Sequence, residues 1–262
     1  MDLDYFRKYF KTHKATYTKQ GDLVVLDWKK PETNILGIRY IFDGYNMSIS
    51  GDLGSAVFRL TWKGQYLQTF KNVNLGYFYQ KKEASSEKDY DFDEATAIDN
   101  LNYNKKEMVE ELNKSINAVK EDWEYDIKEL KDELAEFTEE TKPSFGFDIN
   151  EFDKDSMERQ MEEIHRLSLE STLEDLLDED EDVMYYRKKV EAYDELISVA
   201  RSCGTVEDWV YKINYDYEDE ANAIDSDYWE WLYEVGNKIP HRVELWLAGL
   251  KLAYEQLGDI NE

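Results

Sequence analysis

Between Met108 and Phe137, apolar side chains recur at steps of three and four residues without interruption. The positions between these two are Leu112, Ile116, Val119, Trp123, Ile127, Leu130 and Leu134. A repeat of this length places them all on one face of an α-helix. The pattern predicts one helix of about 35 residues and about 50 Å, which ends before Pro143 because the residue preceding a proline avoids helical angles. A helix this long rarely buries one apolar stripe within its own fold, so the pattern also favours a homo-oligomer.

Charge divides the sequence into two parts of opposite sign. Residues 1–82 contain 13 Lys and Arg against 7 Asp and Glu, whereas residues 83–262 contain 19 against 52. The boundary coincides with a change from strand-like to helix-like patterns. We therefore predict an α+β protein with a small N-terminal mixed α/β domain, a basic strand-rich head with an antiparallel sheet at 1–82. We also predict a polar linker at 83–103. After it we predict a larger acidic all-helical domain with one long helix at 104–262, which we call the body.

The head contains strand signals and one turn signal. β-branched and aromatic residues run from Asp22 to Trp28 and from Ile35 to Phe42. Apolar and polar residues then alternate at 45–50 and at 56–62, on either side of Gly51-Asp52-Leu53-Gly54. Because glycine adopts the positive φ angles that tight turns require, this stretch predicts a β-hairpin. A phosphate-binding loop is disfavoured, since GDLG lacks the lysine of a P-loop and the third glycine of a dinucleotide-binding turn.

After the long helix and a turn at 143–147, the body contains further helical patterns. The predicted starts are Asp155 or Ser156, Val183, Thr205 and Val243. The acidic run at 178–182 interrupts the helical pattern ahead of Val183. Thr205 is a favourable N-cap residue for its helix, and Pro240 is placed to begin the last helix, which runs to Leu257.

Composition indicates a folded protein of a reducing compartment. Hydrophobic residues make up 42% and aromatic residues 15% of the chain, unlike a disordered acidic chain, although the net charge is -27. A single cysteine, Cys203, excludes an internal disulfide and is predicted to be a buried structural thiol. The N-terminal residues lack the apolar core of a signal peptide, and no stretch is apolar enough to span a membrane. We therefore predict a cytoplasmic protein.

No pattern of catalytic or metal-binding residues emerges from the sequence. The three histidines, His13, His165 and His241, belong to separate elements, and no HExxH motif or nucleophile elbow is present. The run at 178–182 alternates acids as a calcium loop does, but Val183 and Lys189 stand where that loop needs glycine and glutamate. We predict that the protein is not an enzyme and has no catalytic, metal-binding or cofactor-binding residues. Acid–base catalysis by carboxylates of the body stays open.

Direct binding of nucleic acid is also disfavoured. Basic residues do alternate with aromatic ones in the head: Lys8, Lys11, Lys14, Lys19, Lys29 and Lys30 with Tyr5, Tyr9, Tyr17 and Trp28. The attached acidic body would oppose phosphate binding, because binding to nucleic acid depends mainly on neutralising phosphates. We therefore expect partners that are neither nucleic acid nor membrane.

Acidic residues away from the apolar stripe, together with the acidic run, form the predicted partner-binding surface. They are Glu121, Asp122, Glu129, Asp132, Glu133, Glu136, Asp178, Glu179, Asp180, Glu181 and Asp182. A rigid row of carboxylates can occupy a groove built for the phosphates of a duplex. The alternative is an ordinary solvated helix face, because glutamate is a good helix former. The sequence leaves both interpretations open.

The hairpin and the strand before it resemble a phage-encoded family. Trp28-Lys29-Lys30-Pro31 is followed by Ile49-Ser50-Gly51-Asp52-Leu53-Gly54-Ser55-Ala56-Val57-Phe58-Arg59. This order is similar to a W-x-x-P and (I/V)-x-G-D-x-G-x-A-x-(F/Y)-R pattern in the Gabija anti-defence inhibitor family. The resemblance covers about residues 20–80. It implies an oligomeric, non-enzymatic inhibitor that wraps a bacterial nuclease complex and keeps DNA away from it, and it carries over no catalytic residues.

We therefore expect a phage-encoded inhibitor that binds a bacterial antiviral defence nuclease complex and blocks its access to DNA in the host cytoplasm. One alternative is an acidic DNA mimic that inhibits another nuclease or a CRISPR effector. A second alternative is an enzyme that uses carboxylates of the helical body. Inhibition that saturates at a fixed molar ratio distinguishes both inhibitors from the enzyme.

Overall fold

The computed structural model describes residues 1–140, 159, 161–166 and 170–258, with the backbone alone at 133, 134, 136–140, 170 and 171. The predicted turn at 143–147 and the predicted helix start at Asp155 or Ser156 lie outside these residues.

The chain forms two compact units, which we call the sheet unit and the helical unit. The sheet unit consists of Met1–Asp93 and Asn237–Glu262, and the helical unit is Glu94–Gly236. The strands, in chain order, are β1 (Lys14–Gln20), β2 (Leu23–Lys29), β3 (Ile38–Asp43), β4 (Asn46–Gly51), β5 (Ala56–Arg59), β6 (Lys82–Ser85), β7 (Asp91–Phe92) and β8 (Asn237–Lys238). The described residues include the helices α1 (Leu3–Arg7), α2 (Leu75–Gln80), α3 (Glu94–Glu140), α4 (Glu170–Glu179), α5 (Glu181–Ala200), α6 (Val206–Tyr215), α7 (Glu218–Ile224) and α8 (His241–Leu257). This combination confirms the predicted α+β class.

The first six strands form one antiparallel sheet in which their spatial order is their chain order. Alternation along the strands gives this sheet one apolar face. The buried side chains include Val24, Leu26, Trp28, Ile38, Tyr40, Phe42, Met47, Ile49, Ala56 and Phe58. Helix α8 packs on this face. The Tyr40 hydroxyl donates to the Trp246 carbonyl oxygen (2.7 Å), and Trp246 Nε1 donates to the Leu53 carbonyl oxygen (3.1 Å).

The position of α8 corrects the predicted domain division. The sequence placed this helix in an acidic body at 104–262, but it belongs to the sheet unit. Most of its residues between Val243 and Ala253 are buried, as expected for a helix that covers a sheet rather than bordering solvent. The sheet needs such a cover, because α1 and α2 span only 5 and 6 residues.

The predicted linker at 83–103 is structured as well. It contains most of β6, all of β7 and the first ten residues of α3, which begins at Glu94. Ala97 and Leu101 are both 0% exposed, and their spacing of four places them on one side of the helix. The stretch is polar in sequence because these are its only buried side chains among the described residues.

The hairpin predicted at GDLG is confirmed between β4 and β5. Gly51 and Gly54 adopt φ angles of 144° and 93°. A Cβ atom at Gly51 would lie 2.1 Å from the Gly37 carbonyl oxygen, so this position needs glycine for space as well as for its angle. The Asp52 carboxylate then accepts a hydrogen bond from the Leu36 N–H (2.8 Å). The turn therefore also fixes the loop between β2 and β3.

The core of the helical unit lies at one end of its long helices. Trp209 is fully buried, and its Nε1 donates to the Leu232 carbonyl oxygen (2.8 Å). The other buried side chains come mainly from the start of α3, the second half of α5, α6 and α7. Between residues 102 and 182, none of the described side chains is buried. The start of α3 therefore belongs to the core of the helical unit, and the rest of its described length lies outside that core.

Helix α3 spans 47 residues and confirms the predicted long helix. It runs antiparallel to α5, since Lys105 Nζ lies 2.6 Å from Asp194 Oδ1 and Lys114 lies close to Tyr186. From Met108 to Leu130, the residues of the predicted apolar stripe are half-buried. Along this part of the chain α3 packs against α4 and α5, so each residue of the apolar stripe stays partly exposed to solvent.

The acidic run separates two helices, as predicted. Helix α4 ends at Glu179, and Asp180 caps α5 by accepting the Val183 N–H at Oδ1 (2.8 Å). Thr205 likewise caps α6, with its hydroxyl oxygen 3.1 Å from the Asp208 nitrogen. Both caps satisfy N–H groups that have no partner within the first helical turn.

Gly249 lets α8 approach the sheet, and this suggests a test of the packing. A Cβ atom there would lie 2.8 Å from Ile38 Cδ1 and from the Tyr40 hydroxyl. Replacing glycine by alanine within a helix normally stabilises it by about 1 kcal/mol, but we expect Gly249→Ala to destabilise the protein by about 1–3 kcal/mol. Chemical denaturation measures the change. Gly76→Ala, whose Cβ would meet nothing closer than 3.7 Å, is the control, and equal effects would contradict the packing.

His13 is a buried polar residue of the sheet unit, only 5% exposed. Its Nε2 lies 3.2 Å from the Leu36 carbonyl oxygen. A carbonyl only accepts hydrogen bonds, so Nε2 carries the proton in this contact. Burial lowers the pKa of His13, which keeps the ring neutral near pH 7. Leu36 has a φ angle of 53°, a conformation uncommon outside glycine, and it is held by both His13 and Asp52.

The lowered pKa of His13 predicts a loss of stability in acid. The unfolded chain binds a proton at His13 below about pH 6.5, whereas the folded protein resists it. The free energy of unfolding should therefore fall with pH from about 6.5 downward, by at most about 1.4 kcal/mol per pH unit from this group. NMR titration of the imidazole measures the pKa directly. A value at or above that of an exposed histidine would refute the prediction.

Candidate acidic interaction surface

Almost all of the net charge lies in one structural unit, although the two units differ less in charge than the two parts of the sequence do. The sheet unit contains 17 Lys and Arg against 16 Asp and Glu, a net charge of +1. The helical unit contains 15 against 43, a net charge of -28. The sheet unit is thus nearly neutral rather than basic, because it includes acidic residues from 83–93 and from the C-terminal segment. A charge of this size produces a field that attracts basic partners.

One face of α3 presents four of the predicted partner-binding residues together. Glu121, Asp122, Glu129 and Asp132 are all exposed. At 3.6 residues per turn they fall within about 100° of the helix circumference. We call these four residues the acidic stripe. Tyr125 lies among them and is 63% exposed, so an aromatic ring stands in the middle of the carboxylates.

The acidic stripe differs from the first half of the same helix in how its charges are paired. In that half Lys106 lies 3.8 Å from Glu110, and Lys114 lies 2.5 Å from Glu111. Within the described part of the chain, no stripe residue makes an ion pair or a side-chain hydrogen bond. Helical periodicity places Lys120 and Lys131 on another side of α3, whereas Lys128 borders the stripe, four residues before Asp132. Since Lys128 makes no ion pair with a stripe residue, the stripe carries four carboxylates that no ion pair of the described residues neutralises.

The remaining predicted surface residues have different surroundings. Glu133 and Glu136 continue α3, but their side chains lie outside the described residues. Asp178 pairs with Arg187, and Asp180 caps α5, so both stabilise the junction between α4 and α5. Glu179, Glu181 and Asp182 are exposed in the same junction. Glu181 and Asp182 lie in the first turn of α5, where the helix dipole favours negative charge, whereas Glu179 is the last residue of α4.

Neither the histidines nor the cysteine are residues of the acidic stripe. His13 is buried in the sheet unit, His241 lies 2.8 Å from Glu244, and His165 is exposed. Cys203 is buried as predicted, and burial raises its pKa even though Lys212 lies 3.7 Å from the sulfur. A raised pKa makes the thiol a poor nucleophile. Among the described residues, no three His, Cys, Asp or Glu side chains are placed to hold a metal ion.

The helical unit also contains a groove that sequence reasoning missed. It has a volume of about 730 Å³ and is lined by residues of α3, α5, the end of α7 and Trp231. Asp225 lies half-buried in it and accepts hydrogen bonds from the Asp227 N–H and from Trp231 Nε1, both at 3.0 Å. These bonds lower the pKa of Asp225. The aromatic cluster at 228–231 was visible in the sequence, but nothing there indicated that it meets α3 and α5.

Comparisons with protein-family models, curated proteins and solved structures found no match. The described helices include none that is long and apolar enough to cross a bilayer.

The unpaired charge of the acidic stripe predicts that it costs stability. We expect Glu121→Gln, Asp122→Asn, Glu129→Gln and Asp132→Asn together to raise the free energy of unfolding by about 0.5–1 kcal/mol at low salt, because like charges no longer repel. The gain should shrink as salt screens the charges. Asp194→Asn, which removes the partner of Lys105, is the control and should lower stability. A loss of stability in the fourfold variant would show that the stripe has a structural role.

Proposed function

We propose that the protein is a non-enzymatic inhibitor that binds a bacterial antiviral defence nuclease complex in fixed proportion and blocks its access to DNA. The helical unit provides the binding surface, with the acidic stripe at its centre. The observation that carries this proposal is the collection of a net charge of -28 in one unit, with exposed stripe carboxylates that lack partners.

The chemistry of a DNA channel supports this choice of partner. A channel that holds a duplex is lined by Lys and Arg that neutralise phosphates. A rigid helix with a row of carboxylates offers such a channel the same charge on a scaffold that cannot be cleaved as DNA. Complementary charge also speeds the encounter of two proteins and disfavours acidic competitors.

Tyr125 gives the acidic stripe an aromatic side chain that can contribute affinity in addition to charge. Exposed ion pairs contribute little to affinity, whereas tyrosine is among the residues that most often dominate a protein interface. Its position among the stripe carboxylates fits an interface with an aromatic anchor and charged surroundings. The resemblance at the β4–β5 hairpin to the Gabija anti-defence inhibitors supports the choice of a defence nuclease as target and a phage as source. It also supports action in the host cytoplasm by an oligomer.

Titration against the purified Gabija nuclease complex tests the proposal. DNA cleavage should fall linearly and stop at a fixed molar ratio, and native mass measurement should give a complex of the same ratio. Complete inhibition at a small fraction of that ratio would instead indicate an enzyme. An unaffected nuclease would refute this target.

The role of the stripe is tested with variants of equal charge. Neutralising its four carboxylates should weaken inhibition at least about tenfold, mainly through slower association. Asp216→Asn, Glu218→Gln, Asp219→Asn and Glu230→Gln remove four charges from exposed or half-exposed positions elsewhere in the helical unit and serve as the matched control. If both variants lose affinity to the same extent, binding depends on the net charge of the helical unit and not on the acidic stripe. If neither loses affinity, mimicry of DNA by the stripe is wrong.

A further inference from the structure

The groove of the helical unit has a hydrogen-bonding character that favours a cation. Its side-chain acceptors include the carboxylates of Glu107 and Asp225. Lys189 is its only charged donor among the described lining residues. The groove therefore holds an excess of negative charge within a unit that is itself strongly acidic.

Asp225 is fixed and ionised before any ligand arrives. One of its oxygens accepts the Asp227 N–H and the other accepts Trp231 Nε1. Each carboxylate oxygen can accept a second hydrogen bond, so both remain able to bind a donor. A carboxylate held in one orientation loses little freedom on binding, which favours a ligand with two parallel N–H groups.

Tyr193 adds a neutral polar group to the groove. It is only 4% exposed, yet its hydroxyl makes no hydrogen bond within the described part of the chain. Burial, with the nearby charges of Asp225 and Glu107, raises the pKa of Tyr193 to about 12. The phenol thus stays protonated, and its oxygen remains an acceptor beside two carboxylates.

Aromatic rings complete the groove and already attract one cation of the protein. Lys189 Nζ lies 4.6 Å from the centroid of the Tyr185 ring, within the range of a cation–π contact. Its charge also contributes to lowering the pKa of Asp225. Lys189 therefore occupies part of the environment that an external cation would use. Tyr185 is 53% exposed and Trp231 is half-buried, which leaves aromatic surface for a planar group.

We propose that this groove binds the guanidinium group of an arginine presented by the partner protein. A guanidinium is planar, carries only donors, stacks on aromatic rings and pairs with a carboxylate through two parallel hydrogen bonds. An ammonium group lacks the planarity and the paired donors. The presence of the arginine on a partner rests on the proposed function, whereas the preference of the groove for guanidinium does not.

The groove is tested first with a small probe and the full-length protein. N-acetyl-arginine amide should shift the NMR signal of the Trp231 indole N–H, with a Kd on the order of 1 mM or tighter. The lysine analogue should bind at least about threefold more weakly, and the uncharged citrulline analogue should not bind measurably. Equal binding of arginine and citrulline, or no binding of arginine, would overturn the proposal. Stronger binding of lysine than of arginine would do so as well.

Variants then distinguish a specific site from general acidity. Glu107→Gln, at an exposed position, and Asp225→Asn should each weaken binding of the arginine probe about tenfold. Asp216→Asn, outside the groove, should leave it unchanged. Lys189→Gln should tighten binding about threefold, because the internal competitor is removed. Damage to the fold would not produce a gain of affinity, so a Lys189→Gln variant that binds no better contradicts the proposal.

The same variants separate failure of the groove from failure of the inhibitor. If the wild-type protein inhibits the nuclease in fixed proportion but does not bind the arginine probe, the groove is wrong and the proposed function stands. If the probe binds but the wild-type protein inhibits no nuclease, the proposed function is wrong. When both hold, Glu107→Gln should weaken inhibition and Lys189→Gln should strengthen it. Inhibition that ignores both substitutions would refute an arginine of the partner as the ligand.

Discussion

The packing of α8 on the apolar face of the sheet is the contact on which the rest of the structure depends. Six strands present one continuous apolar surface, and neither α1 nor α2 is long enough to cover it. The cover comes from the last helix, whose side chains join the same core. The chain must therefore return to its beginning, so the whole helical unit lies in sequence between β7 and β8. Contacts this distant in sequence are slow to form.

Local signals predicted the parts of the fold that depend on local chemistry. The repeat from Met108 to Leu130 indicated α3, and the glycines of GDLG indicated the turn, because helix periodicity and positive φ angles are properties of short stretches. Strand β1 was missed because, as an edge strand, it has only two apolar positions, Ala15 and Tyr17, and none of its side chains is fully buried. The position of α8 was missed because its apolar residues show that it is buried but not against what. A single sequence without a template does not specify that partner.

The candidate binding surfaces likewise divide into one that local sequence patterns predicted and one that depends on the tertiary fold. Exposed acids on α3 could be predicted from helix periodicity, and the stripe follows from it. The groove could not be predicted, since Glu107, Lys189 and Asp225 are far apart in sequence and meet only through the packing of α3, α5 and α7. The roles of Asp178 and Asp180 were also hidden, because a cap or an ion pair depends on where a helix actually begins. Acidic residues alike in sequence thus separate into structural and unpartnered ones.

The residues that carry the family resemblance have structural roles in the sheet unit. Trp28 is buried in the core, Gly51 allows close approach of the Gly37 carbonyl, and Asp52 holds the Leu36 N–H. Their pattern describes how a hairpin and its neighbouring loop are built. The acidic stripe and the groove belong to the other unit.

The pairing of β7 with β8 has a consequence for how such a protein can evolve. Asp91 and Phe92 lie opposite Lys238 and Asn237, so the chain leaves and re-enters the sheet unit at neighbouring points. An inserted segment whose ends are held this close can be lengthened, shortened or exchanged without moving the strands that hold it. The strands of the sheet unit can then stay the same while the helical unit between β7 and β8 changes in length or sequence.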